Sequence, residues 1–503
     1  MLASVATFAL VGIDSSEVTV EVDLRRGLPV FTIVGLPDRA VRESKERVRA
    51  ALLNSGLDFP LQRLTANLAP ADLRKAGPGF DLALAVAILA ATEQLPLEKL
   101  AGYAVCGELS LSGALRPVHG AVAIATGARR AGYRRLIVPA ENAGEAALVP
   151  DIEVFGVPTV DRIVGLVRGD WNPSPAEPAA SPPEPDGAPD LADVRGQRDA
   201  RRALEIAAAG GHNVLMVGPP GVGKTMLARR VPGILPPPTF EEAVEITRVQ
   251  SVAGLGDGRL AARRPFRAPH HTISSSGLIG GGAVPRPGEI TLAHRGVLFL
   301  DELAEFSRDV LEALRQPLEG GSIEIMRGQR SLRFPADFML VAACNGCSCG
   351  RPDGECTCND VDRARYQRRL SGPLLDRIDL VCTLRSDAPL ELAPRGGRAP
   401  ESSAAVRARV VAARERQRSR LAGSPVSCNA AMDVPLTHAH VRLTRGMHST
   451  LSAAAGALST RGQDRVLRLA RTIADLDGRD DVGAADLDEA IGYRLGAAEA
   501  VAA

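Results

Sequence analysis

The residues best suited to chemistry are consecutive: Gly218-Pro219-Pro220-Gly221-Val222-Gly223-Lys224-Thr225. An apolar run, Val214-Leu215-Met216-Val217, precedes them, and Met226-Leu227-Ala228-Arg229-Arg230 follows. A buried strand, a glycine-rich turn and a helix start are the setting that a phosphate-binding loop requires. Such a loop wraps its N–H groups around the β-phosphate, and the helix dipole favours the negative charge. The pattern predicts ATP binding, with Lys224 on the β/γ-phosphates and the Thr225 hydroxyl on Mg²⁺.

Two further stretches extend this site. Gly296-Val297-Leu298-Phe299-Leu300-Asp301-Glu302 reads as a buried strand ending in two acids. Asp301 is predicted to hold the Mg²⁺ shell and Glu302 to polarise the attacking water. A later strand, Phe338-Met339-Leu340-Val341-Ala342-Ala343, ends near Asn345, whose amide could orient that water or touch the γ-phosphate.

Cys344, Cys347, Cys349, Cys356 and Cys358 follow at once, with spacing C-x2-C-x-C-x6-C-x-C. That is tighter than an ordinary zinc ribbon, yet four of the thiols could close a tetrahedral Zn²⁺ site. A redox-sensing cluster and plain buried or surface thiols are the alternatives. A metal there is expected to stiffen the loop that carries Asn345. The paired His270 and His271 are expected to point apart, as sequence neighbours usually do.

The elements that must position these groups fill a chain of 503 residues, long enough for several cores. Net charge is +1, so any surface for nucleic acid must be local. Aromatics make up 3%, which weakens readings built on base stacking. Neither a leader nor a membrane span is evident, so a cytoplasmic chain with reduced thiols is expected.

Residues 1–168 read as mixed α/β, with strands at 18–22, 30–34 and 136–138 and helices at 38–55, capped by Asp38, and 81–92. Residues 169–190 are a Pro-rich linker, expected to be extended and mobile. Residues 191–390 hold the nucleotide motifs on a parallel sheet, and 391–503 read as helical. A β-hairpin spans 323–334, with Arg327 and Arg330 at its tip. The basic run 405–421 reads as a solvated helix face.

Asp72-Leu73-Arg74-Lys75-Ala76-Gly77-Pro78-Gly79-Phe80-Asp81-Leu82, with the segment from Gly107 to Val118, resembles the proteolytic domain of Lon. Gly79 and Val122 fall where that family carries its serine nucleophile and lysine base. The resemblance therefore implies a relative without the peptidase dyad, serving as a scaffold or binding a protein partner.

The second half resembles AAA+ ATPases. Ser371 to Leu380 is similar to the family's Leu-Leu-x-Arg-x-Asp segment, which implies that Arg377 reaches the γ-phosphate of a neighbouring subunit. A local salt bridge with Asp376 or Asp379 is the alternative. Arg461 resembles the lid arginine that contacts ATP of its own subunit, with Arg468 as second choice.

In its order of parts the whole chain resembles the YifB/ComM family of magnesium-chelatase-like AAA+ ATPases. Arg264 to Ser274, Arg286 to Phe306 and Tyr366 to Asp379 carry that likeness most specifically. It implies a homo-oligomeric ring, a hexamer, that moves on single-stranded or branched DNA. Arg327 and Arg330 would then contact DNA, as the hairpins of replicative helicases do. A magnesium-chelatase motor subunit and a protein-remodelling ATPase are the competing readings. No porphyrin-ligand signature is evident.

Overall fold

The computed structural model describes residues 1–179, 188–282, 285–327, 330–351, 356–369, 372–384, 401–454, 456 and 458–502. Two sheets organise them. The first has seven strands, in the order Val30–Val34, Arg63–Ala69, Asp14–Arg25, Leu2–Val11, Tyr103–Val105, Arg135–Pro139 and Glu153–Val157. Leu2–Val11 and Asp14–Arg25 form an antiparallel hairpin. Helix Asp81–Ala91 packs against it with every residue buried, as its unbroken apolar sequence requires. Helix Arg39–Asn54 starts where its cap predicts, the Asp38 carboxylate accepting from the Val41 N–H.

The second sheet is parallel throughout, ordered Phe266–Arg267, Val297–Leu300, Met339–Cys344, Val214–Val217 and Leu380–Thr383. Its strands are short and apolar because helices cover both faces. The chain then becomes helical, with Ser403–Arg420, Val434–His440, Arg445–Ala454, Thr460–Leu476 and Ala484–Ala502. The mixed α/β class, the parallel sheet and the helical C-terminal part agree with the sequence reading.

Three expectations are met only in part. Residues 173–179 run along the first sheet, where the Ala176 N–H donates to the Val154 carbonyl at 2.7 Å and the Ala179 N–H to Gly144 at 3.1 Å. This part of the linker is tied down; residues 180–187 lie outside the described residues. The basic helix Ser403–Arg420 is a solvated face only in part: Arg416 and Arg418 are exposed, but two others are engaged. Arg409 pairs with Glu205 at 2.6 Å, and Arg420 with Asp475 at 2.8 Å. Finally, the tail, whose sequence from Val482 to Leu495 reads as a short helix, forms one longer helix from Ala484 to Ala502.

The two halves interlock. The Gly120 N–H donates to the Ser251 carbonyl at 3.2 Å, and Arg248 reaches Asp14 at 3.2 Å. Ile13, in the tight turn of the N-terminal hairpin, joins an apolar cluster with Phe334 of the hairpin Ser322–Arg327/Arg330–Pro335. Gly12 has φ +66°, and a Cβ there would touch the Phe334 ring at 3.6 Å.

Candidate nucleotide site

Strand Val214–Val217 is buried throughout and ends at Gly218. A side chain at Gly218 would put its Cβ 2.5 Å from the Leu384 carbonyl oxygen, so only glycine fits. Gly221 and Gly223 turn the loop with φ of +81° and +99°, and helix Lys224–Ala228 begins immediately. The Lys224 ammonium donates to the Gly218 carbonyl at 2.6 Å, Pro219 at 2.9 Å and Asn345 Oδ1 at 3.0 Å. Burial lowers its pKa, against the pull of Cys344, Asp301 and Glu302.

Asn345 follows strand Met339–Cys344, which lies beside Val214–Val217, and this register brings it to Lys224. On the other flank, Val297–Leu300 delivers Asp301, whose Oδ2 accepts from the Thr225 hydroxyl at 2.6 Å. A hydroxyl and a carboxylate oxygen in contact are the hard donors that Mg²⁺ takes, so the pair fits that ion. Glu302 adopts a left-handed backbone, φ +52°, costing about 1–3 kcal/mol in a residue with a side chain. His271 Nδ1 lies 3.3 Å from its Oε2. The histidine rings do not point apart as expected; their centroids are 4.1 Å from each other.

Arg377 lies elsewhere. Its backbone carbonyl accepts from Asn213 Nδ2 at 3.0 Å, and Asn213 immediately precedes the strand that leads into Gly218. Arg377 therefore sits at the opposite end of that strand from its own phosphate loop, roughly 15 Å away at about 3.3 Å per residue. It is nearly buried and pairs with Glu319, not with Asp376 or Asp379, which Arg494 and Arg465 engage. The Arg377 hydrogen bond holds the Glu319 carboxyl below its usual range.

Arg461 does not join Lys224. It reaches Glu319 at 3.4 Å and so stands with Arg377 at the far end of the strand. That pairing is separate from the Lys224 contacts, and the arginine side chain is 71% exposed. Arg468 donates to Thr437 Oγ1 at 3.3 Å and the Ala430 carbonyl at 3.2 Å, inside the helical part. The backbones of Arg327 and Arg330 pair across the hairpin end, but their side chains lie outside the described residues.

Beside the site, the cysteine run divides. The sulfurs of Cys347, Cys349, Cys356 and Cys358 all lie within 4.8 Å of one another. Cys344 is excluded because it is the last residue of a buried strand; burial pushes its thiol up to about 12. Backbone N–H groups, from Arg351 first, bring Cys349 down to about 5.

In the Lon-like front, Val122 is fully buried, and a Cβ on Gly79 would meet Cys106 Sγ at 3.5 Å and Val118 at 3.6 Å. Those two positions face apolar and thiol groups.

Sequence reasoning missed His271, Glu319 and Asn213 as parts of the arrangement. The paired histidines were visible, but nothing in their spacing tied them to Glu302.

The profile for "Magnesium chelatase, subunit ChlI" matches residues 190–391, with companion profiles for the ChlI subunit at 20–142 and its C-terminal part at 400–494. The YifB protein of Salmonella typhimurium is 44% identical over 98% of this chain and 97% of its own length. The competence protein ComM of Haemophilus influenzae is 43% identical over 98% and 97%. The chain belongs to the YifB/ComM family. It is thus a magnesium-chelatase-like AAA+ protein, a class that uses nucleotide and Mg²⁺. Lon protease 2 of Bacillus subtilis is similar over a part only, 31% identical across 30% of this chain and 32% of that protein. YifB/ComM membership therefore describes the whole chain, and Lon similarity describes one segment.

Proposed function

We propose that the chain is an ATP hydrolase that forms a ring, a hexamer, and spends the energy moving DNA strands, as in branch migration during DNA processing or uptake. One observation carries this reading. Lys224, Asn345, Thr225 and Asp301 are assembled where strand Val214–Val217 ends, while Arg377 stands at that strand's start. That separation from its own phosphate loop supports a role for Arg377 at the nucleotide of a neighbouring subunit.

In this mechanism Lys224 exchanges its backbone carbonyl partners for the β/γ-phosphates. Thr225 and Asp301 would hold Mg²⁺, which would supply charge neutralisation to the phosphates. Glu302 takes a proton from the attacking water, which Asn345 orients. Arg377 of the adjacent subunit neutralises charge on the transferring phosphoryl, an effect of about 10³–10⁵ in rate. Arg461, beside it, would act from the same neighbour. The hairpin carrying Arg327 and Arg330 would hold backbone phosphates without reading sequence. Zinc on the clustered thiols is a third cofactor of this reading, and the front half a non-peptidase scaffold.

The name of the competence relative supports DNA as substrate; the chelatase profile favours a metal-chelatase motor instead. A protein-remodelling ATPase is the third possibility. Among the described residues no helix is long and apolar enough to cross a membrane. Action on DNA, as proposed, would put the reaction in the cytoplasm. ATPase rate with and without forked and four-way DNA tests the reading. Stimulation is expected. A rate indifferent to every DNA, in a protein that turns over ATP, would overturn it.

A further inference from the structure

The clustered thiols form a compact group outside the nucleotide-binding side chains, yet Gly350, between their two arms, packs beside the phosphate loop. Cys347 Sγ lies 3.3 Å from Cys349 and 3.4 Å from Cys356, and Cys349 is 3.6 Å from Cys356. Four sulfurs around one Zn²⁺ at about 2.3 Å stand about 3.8 Å apart, close to these separations. A disulfide requires about 2.05 Å, so none of these contacts is one. All four cysteines are free.

Ser348 Oγ lies 3.3 Å from Cys358 Sγ, a hydroxyl placed to orient that ligand around a metal. The Gly350 N–H closes a tight turn onto the Cys347 carbonyl at 3.2 Å. The ligands arrive on two arms, 347–349 and 356–358, so a shared ion would join segments that otherwise contribute no strand or helix.

We propose that Cys347, Cys349, Cys356 and Cys358 bind one Zn²⁺, and that this metal knuckle holds Asn345 against Lys224. The contact that transmits it is Gly350. Its φ is +67°, and a Cβ there would lie 3.1 Å from Pro220 of the phosphate loop and 3.6 Å from Asn345 Nδ2. The knuckle thus abuts the loop's Pro220 and the amide of Asn345 together. Cys344 takes no part, since its side chain is buried in the sheet. The metal site stands by itself, whereas its control of Asn345 rests on the ATPase reading above.

The test starts with metal analysis of the full chain purified without chelator or histidine tag. About one zinc per chain is expected, and Co²⁺ exchanged into it should show sulfur-to-metal charge-transfer bands. Near-zero zinc together with a cobalt form lacking those bands would overturn the site, even if the cysteine variants fail to fold. Cys356→Ser should lose the metal and Cys344→Ser keep it; the reverse would overturn the ligand set. For the second half, Cys356→Ser and Asn345→Ala are compared in kcat and in ATP affinity. Each is expected to lower kcat about ten- to a hundredfold, and the double variant no further. Multiplying losses would overturn the control of Asn345 while leaving the metal in place.

Discussion

His271 Nδ1 and Glu302 Oε2 lie 3.3 Å apart, so the proposed water-activating carboxylate has a partner drawn from the long segment between the phosphate loop and the next acid-bearing strand. The Glu302 side chain is 56% exposed, which limits this pairing to about 0.2–1 kcal/mol. His271→Ala is accordingly expected to raise DNA-independent ATPase up to about fivefold, by releasing the carboxylate. A steady-state rate equal to the parent chain's would reduce His271 to a packing residue.

Lys224 and Glu302 should separate binding from chemistry. Lys224→Ala removes the cation beside Gly218, Pro219 and Asn345 and is expected to abolish ATP binding. Glu302→Gln should bind ATP normally and lose about 10²–10⁴ in turnover. Titration with a fluorescent ATP analogue, beside a phosphate-release assay, reads the two effects apart.

Arg377 should act on a neighbour. Arg377→Ala and Lys224→Ala are each expected to be inactive alone. Mixed rings should regain activity, because some interfaces then combine an intact phosphate loop with an intact arginine. Absence of any rescue over a full mixing series would count against action across the interface.

The join between the helical part and the sheet predicts a pH dependence. Asp379 is buried; burial opposes its charge, but Arg465 chiefly, with His212 and the Asn213 N–H, holds its carboxyl far below the usual range. A depressed carboxylate stabilises the fold above its unfolded pKa of about 3.9 and loses that contribution as pH falls. Asp379→Asn should cost about 3–5 kcal/mol near neutrality by leaving Arg465 unpaired. The gap in Tm from the parent should narrow steadily below about pH 4.

The hairpin is testable through salt. Arg327→Ala should keep basal ATPase, weaken DNA binding across sequences and reduce the slope of log K against log salt by about one. Titrations at several salt concentrations measure it, and an unchanged slope would move the contact elsewhere.

What could be read from sequence alone followed from local rules. Asp38 caps its helix, an unbroken apolar run buries the helix at Asp81–Ala91, and Gly221 and Gly223 supply conformations that other residues resist. Relations between distant segments obeyed no such rule. Arg461 and Arg468 share a helical face by spacing, yet Glu319, far away in sequence, captures one, while Thr437 and Ala430 take the other. Arg409 and Arg420 looked solvated because Glu205 and Asp475 come from other helices. Five cysteines look alike in a string; only the end of a buried strand separates Cys344 from the rest.

The turn at Gly12 and Ile13, seated against Phe334, bears on how this polypeptide can be divided. A cut between 179 and 188 would look harmless on composition alone. Each fragment would nonetheless carry away half of a greasy seam and the stubs of Gly120–Ser251 and Arg248–Asp14. Made as separate pieces, the two should precipitate; made together, they should co-purify as a nicked whole.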